Sequence, residues 1–178
     1  MITLRKARNL AKMVSKHPLP SESGLRNWSS LGCIQSPVSF DSKGRGGRIG
    51  LYDESLPIQI AVVSEIKNEF SLKSISEVAD MLIPKLSSLD ISYRSPDLFQ
   101  SFKKKLINEI INKMNQKEYE NLNIKNIKKM LILEEENFIQ LKKMQRSITI
   151  AKKYIEIWRK KAIELDDIFQ ISRKRKVE

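Results

Sequence analysis

Leu4, Ala7, Leu10, Ala11 and Val14 recur at helical spacing near the start of the chain, and Arg5, Lys6, Arg8 and Lys12 fall mostly between them. Apolar residues three and four apart share one helix face, so this pattern predicts a helix over residues 4–15. His17-Pro18-Leu19-Pro20 ends it, because the residue ahead of a proline is driven out of helical geometry. A second short helix is predicted from about Ser21 to Leu31, with Gly32 at the C′ position, where a positive φ is wanted. Residues 34–40 and 48–52 read as two short strands. Asp41-Ser42-Lys43-Gly44-Arg45-Gly46-Gly47 between them is a flexible basic hairpin tip. A third helix follows Asp53, with Pro57 tolerated in its first turn and Ile58, Ile60, Ala61, Val62 and Ile66 as its apolar positions. Ser71 caps a fourth, which packs through Leu72, Ile75, Val78, Ala79 and Leu82.

The second half is read differently. Ile83 to Arg94 is a linker, and Ser95-Pro96-Asp97 opens a helix with a capping hydroxyl, a first-turn proline and an acid at the positive end of the dipole. Leu98, Phe99, Phe102, Leu106, Ile107, Ile110, Ile111 and Met114 form its apolar stripe, and Asn121-Leu122-Asn123 is the candidate break after it. From about Asn123 to Phe169 there is neither proline nor glycine. Late in this run Met144, Ile148, Ala151, Ile155, Trp158, Ala162, Leu165 and Phe169 alternate spacings of four and three, which is a heptad seam. A helix of that length, ~70 Å at 1.5 Å per residue, cannot bury its stripe alone. The partner is either residues 96–118 of the same chain or a second chain. Dimerisation is favoured, with Ile148, Ala151, Ile155, Trp158, Ala162 and Leu165 as the dimer seam.

Charge sharpens the picture. The 178 residues carry a formal net charge of +12, which favours a polyanionic partner, nucleic acid before an acidic membrane surface. The excess is uneven. Residues 1–50 hold Arg5, Lys6, Arg8, Lys12, Lys16, Arg26, Lys43, Arg45 and Arg48 against only Glu22 and Asp41, whereas residues 51–82 are acidic on balance. Cys33 is the single cysteine, so no intramolecular disulfide forms, and a reducing compartment is expected. No apolar run approaches the roughly 20 residues that span a bilayer, and the start of the chain is a basic amphipathic helix without the apolar region of a signal peptide. A cytoplasmic protein without a membrane partner is the expectation.

Helix, turn, helix, basic hairpin, then two helices is the order of a winged helix-turn-helix, whose second helix enters the major groove. That helix offers Ser21, Ser23, Arg26, Asn27 and Ser30 to base edges and phosphates. Arginine pairs bidentately with guanine, and asparagine with adenine. Lys43, Arg45 and Arg48 on the hairpin would reach the flanking backbone or minor groove. Trp28 admits two readings, core filler between helix and wing or an edge on phosphate, and Tyr52 is more often packing than contact.

Gly24-Leu25-Arg26-Asn27-Trp28-Ser29-Ser30-Leu31-Gly32-Cys33-Ile34 resembles the MerR-family recognition helix, and Leu51-Tyr52-Asp53 and Phe70-Ser71-Leu72-Lys73-Ser74-Ile75 resemble that family's entries into its third and fourth helices. The resemblance spans about residues 4–82. It implies a homodimeric bacterial transcription regulator in which Arg26, Trp28 and Arg48 touch DNA, and which contacts RNA polymerase. The first helix and the turn around His17–Pro20 depart from the family pattern, and Asn27 stands where it has an aromatic residue.

No catalytic set is legible. His17 is a turn residue, Cys33 has no ligand-spaced partner, and Glu134, Glu135 and Glu136, being consecutive, spread around a helix. The glycines at 44, 46, 47 and 50 lack the strand and Lys-Ser/Thr pair of a nucleotide loop. No enzyme activity, metal or cofactor is expected, and the chain names no effector.

The expected fold is therefore mainly α. A winged helix-turn-helix at 1–82 is followed by a linker at 83–95, coiled-coil-forming dimerisation helices at 96–170, and a basic tail at 171–178 that includes Arg173-Lys174-Arg175-Lys176. The expected function is dimeric, sequence-specific regulation on double-stranded DNA. An architectural or chromosome-anchoring DNA-binding protein, or a coiled-coil adaptor for a protein partner, are the alternatives.

Overall fold

Two hydroxyls start the first two helices. Thr3 Oγ1 accepts the Lys6 N–H at 3.3 Å at the head of α1 (Leu4–Val14), and Ser21 Oγ accepts the Gly24 N–H at 3.3 Å at the head of α2 (Glu22–Ser30). Each bond satisfies a backbone donor that the first helical turn leaves free. α2 ends as the sequence predicts. Gly32 has φ +76°, its N–H meets the Ser29 carbonyl, and the Cys33 N–H meets the Trp28 carbonyl at 2.9 Å, the paired bonds of a Schellman cap.

These contacts come from a computed structural model, which describes residues 1–41, 48–87, 94–119 and 128–174. The chain is mainly helical. Besides α1 and α2 it contains α3 (Leu56–Ile66), α4 (Leu72–Ser87), α5 (Pro96–Tyr119) and α6 (Lys128–Lys174). Three short strands, β1 (Ile2–Thr3), β2 (Ser39–Asp41) and β3 (Ile49–Tyr52), form an antiparallel sheet in the order β1-β3-β2. Ile2 lies opposite Tyr52, and Phe40 opposite Gly50. β1 was not anticipated, because a two-residue strand is too short to show alternation. α4 runs on through Pro84 to Ser87, so the expected linker start at residue 83 is corrected. The candidate break at Asn121–Asn123 lies outside the described residues.

α3 is the centre of the molecule. Leu56, Pro57, Ile60, Ala61, Val62, Val63 and Ile66 are all buried, and so are the polar Gln59 and Ser64. A helix buried on every side needs neighbours on every side. α1 and α6 both pack against it, and α6 also packs on α4 and α5. Gln59 is satisfied inside this core: its Oε1 accepts the Gln35 N–H at 2.8 Å and its Nε2 donates to Ser55 Oγ at 3.0 Å. That pair ties the segment after α2 to the start of α3.

The seam of α6 is occupied within its own chain. Ala151, Ile155 and Trp158 are fully buried, Ala162 and Leu165 nearly so, and Ile148 is partly buried against the same core. Their neighbours include Ile60, Ile66, Val78, Leu82, Phe99 and Leu106, from α3, α4 and α5. The expectation that Ile148, Ala151, Ile155, Trp158, Ala162 and Leu165 form a dimer seam is thereby corrected. A heptad reports that a helix has an apolar stripe and is silent on which surface covers it. The boundary expected at residue 82 does not divide the core either, since one cluster runs from Ile2 to Ala162.

Ion pairs follow the same packing. Lys161 meets Glu65 at 2.7 Å, Lys143 meets Glu77 at 3.9 Å, and Lys153 pairs with Glu69, so cations of α6 face acids of α3, α4 and the turn between them. Lys103 with Glu156 and Arg159 over the Phe99 ring join α5 to α6. The acidic balance of residues 51–82 is thus spent inside the molecule.

Candidate nucleic-acid interface

α2 buries Leu25 and Trp28 and turns Ser23, Arg26, Asn27 and Ser30 outward. The cause is helical geometry: positions 25 and 28 share one face, and 23, 26, 27 and 30 occupy the rest. Ser23 Oγ lies 2.8 Å from Ser21 Oγ in the first turn. Ser30 Oγ donates to the Arg26 carbonyl at 3.0 Å, so it is held along its own helix. The Arg26 guanidinium is 69% exposed and stands 3.9 Å from Glu22, a loose pair on an open face. Such a pair contributes little and yields readily to a stronger anion.

The position of α2 relative to α1 is fixed by Arg8, whose Nε donates to the Pro20 carbonyl at 2.6 Å. Arg8 was read only as one of the basic residues of the first helix. Its half-buried guanidinium locks the turn that sets the second helix.

Two expected contact residues are corrected. Trp28 is 5% exposed, and the Lys67 ammonium sits 5.4 Å from its ring centroid, so the indole is core between α2 and the turn after α3. Tyr52 is equally buried, in β3 beside Ile2. Burial pushes its phenol up, and the nearby Arg26 charge opposes the rise. The phenol therefore stays protonated near neutral pH and supports the wing from behind. Arg48 is exposed at the start of β3. Lys43 and Arg45 lie outside the described residues.

The outward cations of this half are Arg5, Lys6, Lys12, Lys16, Arg26 and Arg48. Among the described acids of residues 1–50, Glu22 is taken by Arg26. The N-terminal part therefore keeps a positive surface, while α6 lysines are matched by acids of α3 and α4.

Sequence reasoning missed Lys161. It is fully buried, its Nζ donating to the Val14 carbonyl at 2.5 Å and meeting Glu65 and Glu164. The signal was present: Lys161 falls three residues after Trp158 and four before Leu165, on the apolar stripe itself. Cys33 is also buried, its Sγ 3.3 Å from the Leu72 carbonyl, and burial pushes its thiol up to about 11. A thiol so placed is a packing group and a poor nucleophile.

No family model matches the chain, and no curated protein or solved structure matches it. Among the described residues no helix is long and apolar enough to cross a membrane.

Proposed function

We propose that this chain is a dimeric, sequence-reading DNA-binding regulator of the MerR type, with α1 and α2 as a helix-turn-helix and the β2–β3 hairpin as its wing. The observation that carries the reading is the outward face of α2. Ser23, Arg26, Asn27 and Ser30 stand on a helix braced by Arg8 and the Schellman cap, next to a hairpin that starts its return strand at Arg48. The element order and the unmatched positive charge of the first fifty residues support it. In this reading Arg26 and Asn27 address base edges and Arg48 addresses a phosphate. Trp28 and Tyr52 contribute by holding these elements in place.

The test separates reading from adhesion. Binding to duplex DNA should weaken steeply with salt, because neutralised phosphates release counterions. Arg26→Ala should cost about 1–3 kcal/mol on a selected site and flatten the preference over random duplex. Arg48→Ala should weaken all sequences alike and lower the salt slope by about one. Unchanged selectivity in Arg26→Ala, with Arg48→Ala abolishing it, would put the reading surface elsewhere.

A homodimer remains part of this proposal, since two half-sites need two heads. The heptad residues are not available to it. A second reading, an adaptor for a protein partner, is favoured by Phe138, Ile139 and Leu141, which α6 leaves exposed. A genome-wide map of bound DNA distinguishes the two, as sparse paired sites support the regulator and an empty map supports the adaptor.

A further inference from the structure

The hairpin carries apolar side chains where none is needed for folding. Phe40 is 59% exposed, Val38 66% and Ile49 48%. β2 and β3 together have only seven residues, so these side chains are a large share of the hairpin surface. Leaving a phenyl ring in water forfeits burial that a core position would have supplied. The register shows why Phe40 stays open. Its cross-strand neighbour is Gly50, which brings no side chain to cover it. Gly50 cannot readily be anything larger, because a Cβ there would come within 3.1 Å of Pro37 Cγ and 3.3 Å of Tyr52 Cε2.

The same register places Phe40 on a definite face. Directly paired residues of an antiparallel ladder share a face, as do residues two apart along a strand. Phe40, Gly50 and Tyr52 therefore lie on one side of the sheet. Arg26 of α2 acts on the Tyr52 phenol from that side. A line runs from Arg26 past Tyr52 to the open ring of Phe40. The charge beside it is positive: Arg48 is exposed, and the sequence between the strands adds Lys43 and Arg45 and no acid. A surface that joins an exposed ring to cations fits a nucleic-acid duplex, whose phosphates flank sugars and stacked bases.

We propose that Phe40 is an apolar wedge that packs against the sugars and a partly opened base step in the minor groove beside the site addressed by α2. This rests on the DNA-binding reading above and adds the residue that deforms the duplex. Side chains of this kind unstack a step and bend the helix when cations hold the backbone on both sides. The ring carries no charge, so it changes affinity and shape without changing the salt slope.

The experiment uses the full chain and a duplex selected by it from a random pool, with 2-aminopurine placed in turn at the steps flanking the selected site. Wild type should raise the fluorescence at one step and bend the duplex in an end-labelled energy-transfer measurement. Phe40→Ala should remove both signals and weaken binding about tenfold with the salt slope unchanged. Phe40→Leu should restore most of both, since the wedge needs apolar volume rather than an aromatic ring. Circular dichroism should be the same for all three, because the ring is outside the core. If wild type binds and Phe40→Ala keeps both affinity and fluorescence, the wedge is wrong and the DNA reading survives. If Phe40→Ala changes only the sedimentation coefficient, the ring belongs to a contact between copies and the wedge is again wrong. Wild type that binds no duplex at low salt overturns the DNA reading together with the wedge.

Discussion

Lys161 carries the most consequential contact of any single residue. A fully buried ammonium is stable only with its donors satisfied, and here the Val14 carbonyl, Glu65 and Glu164 take them. The contact fastens α6 to the end of α1 and to α3. Lys161→Ala leaves Glu65 in the interior without its counter-charge and should destabilise the chain by about 3–5 kcal/mol in urea titration. Lys161→Met combined with Glu65→Gln should recover much of the loss. A cost below about 1 kcal/mol, the level of an exposed pair, would show that the ammonium reaches water. Cys33 and Tyr154 make a second prediction. Burial pushes the Cys33 thiol from 9.0 up to about 11 and raises the Tyr154 phenol, whose hydroxyl has no hydrogen-bond partner among the described residues. Above pH 9 the unfolded thiol loses its proton while the folded one keeps it. The unfolded state then binds fewer protons, so stability falls as pH rises from about 9 to 11. The raised phenol adds a loss of the same sign above 10.0. The urea midpoint of wild type should drop across this window, and Cys33→Ala should drop less. Equal slopes would mean that the thiol is not desolvated.

At the scale of elements, α6 is the part whose length the sequence predicts and whose partner it does not. Residues 144–169 repeat their apolar positions in fours and threes, and that spacing suits any neighbouring surface that runs along the helix. Here the surface is α1, α3, α4 and α5 together. Ile155→Lys should therefore unfold the chain instead of converting a dimer into folded monomers. Sedimentation and circular dichroism together read the outcome: lost helicity supports the intrachain core, and a fully helical monomer would restore the interchain seam. α2 behaves in the opposite way. Its cap, its length and its buried face were all legible, because Ser21, Gly32 and the Leu25–Trp28 spacing are local signals. Trp28 was left open between two uses, and Lys67 and the core around it decide for packing.

For the molecule as a whole, charge is sorted by packing. Glu65, Glu69 and Glu77 sit under α6 and meet Lys161, Lys153 and Lys143, while the cations of α1, α2 and β3 have few acids near them in sequence. The first half therefore depends on the second for cover as well as for charge. A fragment ending at Ser87 would expose the α3 surface that α6 covers, and with it Ile60, Val63 and Ile66 among the side chains packed in the shared core. It should lack a cooperative thermal transition and bind DNA far more weakly than the full chain. A fragment with sharp two-state melting would make the N-terminal part an autonomous domain.

The sequence by itself determined where the helices α1 to α4 begin, where α2 stops, that α6 is long and striped, and that positive charge gathers in the first fifty residues. Each of these is a local property, set by a capping hydroxyl, a glycine able to take positive φ, a spacing or a count of side chains. Only the tertiary structure decided that the stripe of α6 closes on its own chain, that Trp28 and Tyr52 face inward, that Lys161 is buried and that Phe40 is not. These depend on which surfaces meet across more than a hundred residues of chain, as in the 147-residue separation of Val14 from Lys161. Periodicity fixes the face of a helix. What lies against that face is settled by the packing of every other element at once.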